Sequence, residues 1–161
     1  MTNLTAGPPL VTLPGFLAHW QGHRRLTRRV IEAFPEGQLF TFSAAPPMRP
    51  FGALAWEIQQ VSELTLTGLL TGEWTEPDWR EGEGTDRARL LRDWDALSAR
   101  LDAEFLRVDP AFFGQTHRLP WGEMSGWEAA IYTIDNEIHH RGQGYVYLRA
   151  LGTEPPAFYE R

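Results

Sequence analysis

Apolar residues recur at three- and four-residue spacing over four stretches of the chain, and strict alternation is scarce. The first stretch, about Pro14 to Phe34, carries Phe16, His19, Trp20, His23, Val30 and Phe34 at the helical period. Thr12 is placed to cap it, and Pro35 and Gly37 end it. The second, from near Pro50 to about Thr71, sets Glu57 on the face of Ala53, Leu54, Val61 and Leu64. Thr85 is the expected cap of a third helix reaching about Arg107, with Leu90, Leu91, Trp94, Leu97, Leu101 and Phe105 as its apolar set. The fourth opens on the S-x-x-E capping box of Ser125 and Glu128 and ends at Gly152, a natural C′ residue, before Pro155 and Pro156. Between the first two, EGQLFTFSAAPPMRP is too polar and proline-interrupted for a core helix. The acidic GEWTEPDWREGEG is long enough for a crossover between the second and third. The pattern predicts an all-α, four-helix bundle in one domain, residues 1–161.

The fourth helix departs from a simple two-faced pattern. One stripe carries Ala129, Thr133, Asn136, His140, Gln143 and Tyr147, and the back, with Ile131, Ile134, Ile138 and Tyr145, is apolar as well. A helix apolar on its back is either central or covered, and a second subunit is one candidate cover. Asn136 and His140 stand four residues apart, a spacing that lets two side chains converge on one metal or small molecule. His139 falls at the edge of the stripe. Glu57, between Trp56 and Ile58, needs a partner if buried. It is open to two readings, a ligand in a site with Asn136 and His140, or an ion pair with an arginine such as Arg141. His19 and His23, again four apart and expected inward, are open to a similar choice between metal ligation and hydrogen bonding to buried carboxyls or carbonyls.

Composition narrows the chemistry. There is no cysteine, which removes disulfides, a thiol nucleophile and thiolate metal sites. Any metal would need His, Asp, Glu, Asn or water. All 15 basic residues are arginine, and the net charge of −6 weighs against a dedicated nucleic-acid binder. The densest basic stretch, HRRLTRR, places Arg24, Arg25, Arg28 and Arg29 opposite His19 and His23, as a solvated outer face or an anionic partner site. No run approaches a membrane span, and MTNLTAGPPLVTLP lacks the basic start of a secretory signal, so a cytoplasmic protein is expected.

The segment NEIHHRGQGYVYLRALGTEPP resembles the signature helix of the DinB/YfiT-like superfamily, usually H-E-x-H-H-R-G-Q followed by L-R-x-L-G and a proline pair. MRPFGALAWE, with GLLTGEW after it, resembles the same superfamily's second helix. The resemblance implies an up-down-down-up bundle with a long crossover, commonly a homodimer. It also implies a divalent metal such as nickel or zinc, held by one histidine of the second helix and an HxxxH pair of the fourth. Characterised relatives use low-molecular-weight thiols as S-transferases or isomerases. Carried over residue by residue, the ligand positions are Glu57, Asn136 and His140, so histidine is kept at only one of the three. Glutamate is a competent ligand but asparagine a weak one, giving a harder site suited to zinc, nickel or manganese. Arg141 and Gln143 belong to the motif as structural residues, Arg141 leaning to the back face, and Gly144 permits close helix approach.

Two functions compete. One is a metal-dependent thiol transferase or hydrolase, with Glu57 and His140 catalytic and an unidentified small-molecule substrate entering beside Tyr147 and Trp20. The other is a metal-free, non-catalytic dimeric bundle acting as a binding or stress-associated protein. DNA binding is a weak third.

Overall fold

The computed structural model describes residues 11–80 and 86–161. Its helices are α1 (Leu13–Ala33), α2 (Phe51–Thr71), α3 (Arg87–Glu104), α4 (Pro110–Gly114) and α5 (Gly126–Ala150), with a 3-10 turn at Phe105–Arg107. β1 (Thr116–Leu119) and β2 (Gly122–Ser125) pair antiparallel just before α5.

The helix ends follow local chemistry. Thr12 caps α1, its hydroxyl accepting from the Gly15 amide, and both halves of the Ser125–Glu128 capping box form at α5. Gly152 takes φ +73°, the left-handed conformation expected of its place after the last turn. The cap of α3 is Asp86, whose carboxylate accepts from the Arg89 amide; the expected cap Thr85 lies outside the described residues, as do residues 1–10. The short α4 and the hairpin went unforeseen, since five helical residues and two four-residue strands are too short for a period to show.

The interior divides into two apolar clusters. Val30, Phe34, Phe51, Leu54, Trp94 and Tyr147 belong to one, and Phe16, Trp20, Leu66, Leu97, Phe105 and Ile134 to the other. Each large side chain so buried contributes about 1.5–3 kcal/mol. Trp20 and Tyr147, expected beside one entrance, are both fully buried and lie in different clusters.

A polar layer accompanies these clusters, and it corrects the reading of the basic stretch. Arg24 is fully buried, not solvated. It donates to Gln59 Oε1 at 3.0 Å, to the Trp94 carbonyl at 2.9 Å and to Ser98 Oγ at 2.9 Å, tying α1 to α2 and α3. Its guanidinium lies over the Trp94 ring, 4.2 Å from the centroid. Burial lowers its pKa to about 10. Arg25, Arg28 and Arg29 keep the expected contact with solvent, Arg28 bound to Asp95 and Glu32.

Candidate functional site

Glu57 projects from α2 toward Asn136 and His140 on α5. As residue number rises on α2 it falls on α5: Glu57 meets His140, and Thr65 Oγ1 lies 2.7 Å from Thr133 Oγ1. The two helices thus run antiparallel, and residues four apart on α5 fall within reach of one carboxylate. Close approach is secured at Gly144, where a Cβ would stand 2.6 Å from the Phe51 ring.

His140 Nε2 lies 2.9 Å from Glu57 Oε1, and the Asn136 amide nitrogen lies 3.5 Å from the same oxygen. The three residues singled out in the sequence do converge. What the sequence reading missed is Arg49, whose Nη2 donates to Glu57 Oε2 at 2.6 Å. Arg49 sits just before α2, eight residues ahead of Glu57, about two helical turns along one face. That spacing was the available signal. Tyr147 Oη fixes the arginine's backbone by donating to its carbonyl at 3.0 Å. The ion pair with Arg141, one reading of Glu57, does not form; the arginine is Arg49.

These contacts fix which atom donates. The hydrogen bond from His140, reinforced by Arg49 and opposed by partial burial, lowers the Glu57 pKa from 4.5 to about 2. An ionised carboxylate only accepts, so His140 carries its proton on Nε2. Its Nδ1 lies 3.4 Å from the Gln143 amide nitrogen, which also lies 3.1 Å from Nε2 of the exposed His139.

As a donor set for nickel or zinc the arrangement fits poorly. A guanidinium already holds one oxygen of the carboxylate and would stand beside the metal cation. His140 would have to give up its Nε2 proton, and asparagine is a weak neutral ligand. Among the described residues no group of three or more His, Asp or Glu side chains converges. One atom points the other way: Asn136 Oδ1 is buried with no hydrogen-bond partner among the described residues.

The histidines of α1 behave otherwise than expected. His19 is exposed, not inward. His23 is buried, and its Nδ1 lies 2.9 Å from Arg141 Nη2. Arg141 does not lean to an outer back face; it is buried against α1, donating to Thr27 Oγ1 at 3.0 Å and lying 3.6 Å from Glu137 Oε1. Glu137, unremarked in the sequence, is fully buried and accepts from Thr27 Oγ1 at 2.5 Å. The i, i+4 pairing of Glu137 with Arg141 was the signal that could have found it. Of the apolar back of α5, Ile134 is buried, whereas Ile131 and Ile138 are exposed.

An all-helical core with a Glu–His pair bridging two antiparallel helices defines the class, and comparison supplies the family. The model of the DinB family matches residues 2–161, and the chain belongs to that family. It is similar in structure to a DinB-like protein (YjoA) from Bacillus subtilis, with 18% identity, a TM-score of 0.70, and 91% of this chain and 97% of that one covered. A DinB-like protein from Bacillus cereus ATCC 10987 gives 19% identity and a TM-score of 0.64 over the same shares of the two chains. At these identities the likeness concerns the fold. No curated protein matches the chain. Among the described residues no helix is long and apolar enough to cross a membrane.

Proposed function

We propose that this DinB-family chain works without a resident nickel or zinc ion and is a dimeric binding protein, not a metal-dependent transferase or hydrolase. The observation that carries this reading is the 2.6 Å ion pair between Arg49 and Glu57. It neutralises the one acidic ligand of the set, and the Glu57–His140 hydrogen bond occupies the other oxygen. Glu57 thus orients His140 and holds its proton, while Arg49 closes the array from the solvent side. The up-down-down-up order belongs to the same reading. It is supported by α1 and α5 running parallel, Phe16 beside Trp127 and Thr27 beside Glu137, against the antiparallel α2. Exposed Ile131 and Tyr132, in the first turns of α5, favour a second copy as the cover of that end of the helix.

A second reading is favoured by the unpartnered Asn136 Oδ1. The Arg49 side chain is about half exposed and free to turn outward, and a harder, oxygen-preferring cation such as manganese would then suit Glu57, Asn136 and His140.

Elemental analysis after incubation with nickel, zinc and manganese separates the two, using wild type, His140→Ala and the double variant Glu57→His/Asn136→His. The expected result is no stoichiometric metal in wild type and near-stoichiometric nickel or zinc in the double variant. Metal in wild type that is lost in His140→Ala would overturn the proposal and make an enzyme the working model. A double variant without metal would mean that the three positions do not face one another.

A further inference from the structure

On the side of α5 away from Glu57, a cleft of about 580 Å³ opens between that helix and the C-terminal segment. Its volume falls within the range of small-molecule pockets, roughly 300–1,000 Å³. His23 and Arg141 form its buried base, Arg149 and Arg161 add positive charge, and Ile138 and Phe158 supply apolar wall.

Donors outnumber acceptors there. A guanidinium can only donate, so Arg141 Nη2, 2.9 Å from His23 Nδ1, requires a lone pair at Nδ1. Burial and the neighbouring guanidiniums keep this imidazole neutral, its pKa lowered to about 3, so its proton sits on Nε2. That proton is accepted by His19 Nε2 at 3.2 Å. Arg161 Nη1, only 3.1 Å from the same Nε2, therefore faces an N–H where it needs an acceptor, and it forms no ion pair with a carboxylate among the described residues. The Tyr145 hydroxyl, close to the Arg141 and Arg149 charges, is buried with no hydrogen-bond partner among the described residues. The nearest acids do not balance the cluster. Glu137 lies behind Arg141, sealed from the cleft, and Glu154 lines the wall as its one acidic side chain among the described residues.

A glycine marks the same place independently. Gly142 lies in the middle of α5, where glycine costs about 1 kcal/mol against alanine. Gly144 is explained by the Phe51 ring, but a Cβ on Gly142 would meet nothing within 4 Å, and its φ is not positive. Helix packing gives no reason for it. Gly142 lines the cleft, and a side chain there would project into it.

We infer that this cleft is a binding site for a small organic anion, a carboxylate or phosphate carried on a flat apolar group. The anion would sit between Arg161 and Arg141, accept from the Tyr145 hydroxyl, and lay its apolar part over Gly142 against Ile138 and Phe158. The site lies on the opposite flank of α5 from Glu57 and does not depend on whether the inner site takes a metal.

The test is calorimetric titration of the full chain with phenyl phosphate, benzoate and inorganic phosphate, with the oligomeric state followed by light scattering. Wild type should bind phenyl phosphate or benzoate with a Kd of about 1 mM or tighter, and inorganic phosphate at least about tenfold more weakly. Gly142→Leu should block the cleft without disturbing the fold, and Arg161→Gln should weaken binding about tenfold or more. Tyr145→Phe should weaken it about fivefold, and Glu57→Gln should leave it unchanged. Absence of binding at about 10 mM, or binding that Gly142→Leu and Arg161→Gln both leave intact, would overturn the inference. So would a Gly142→Leu variant that loses a dimer contact, since the cleft would then belong to a second copy. If Gly142→Leu does not fold, Arg161→Gln on the cleft's rim decides.

Discussion

Two glutamates bind basic groups across α5, and burial divides them. Glu57 is partly exposed and held by His140 and Arg49, with both oxygens hydrogen-bonded, and its pKa falls to about 2. Glu137 is sealed between α5 and α1, with Thr27 on one oxygen, no partner for the other among the described residues, and burial driving its pKa up. The same side chain therefore stabilises its charge at one place and resists it at the other. Proximity of arginines does not decide the matter, since Arg24 and Arg141 also lie near Glu137. Direct hydrogen bonds to both carboxylate oxygens do, set against the cost of removing the group from water.

The largest effect should come from the buried arginine. Arg24→Ala would leave Gln59 Oε1 short of a donor inside the core and strip the guanidinium from the Trp94 ring, and should cost about 3–5 kcal/mol by urea denaturation. Arg49→Ala removes the corresponding group from Glu57, but that side chain is 53% exposed, so about 0–1 kcal/mol is expected. Equal losses in the two variants would mean that burial is not what separates the two clusters.

Stability against pH should sharpen the contrast, because the two carboxyls act with opposite sign. The folded pKa of Glu57 is depressed, so its contribution is present above 4.5 and is lost as pH falls toward about 2. The gap between wild type and Glu57→Gln should therefore be widest near neutrality and close over that interval. The folded pKa of Glu137 is raised, so its contribution is present below the ordinary value of 4.5 and is lost as pH rises through the higher folded value. Glu137→Gln should gain on wild type as pH increases. Parallel pH curves for the two variants would break the comparison.

The smallest effect concerns Gly142. Gly142→Ala should stabilise the helix by about 0.5–1 kcal/mol in thermal or urea unfolding, whereas Gly144→Ala should destabilise it through the Phe51 contact. Destabilisation of both would point to a packing role for Gly142.

Much of this was legible in the chain itself. The helical periods, the Thr12 and Ser125 caps and the stop at Gly152 are local properties, set by side chains within a few residues of each other. So was the convergence of Asn136 with His140, which one helical turn imposes. The arrival of Glu57 opposite them was an expectation that only helix pairing could realise. The partners were not legible. Whether Arg24 met solvent or the Trp94 ring, whether His19 or His23 turned inward, and which arginine reached Glu57 depended on residues some 8 to 118 positions away. A helix fixes the angle between its own side chains, but it does not say which sector meets another helix. Because α5 buries a wide arc, Glu137 and Arg141 went inside together with His140. Tertiary packing chose that arc, and with it the protonation and charge of every group on it.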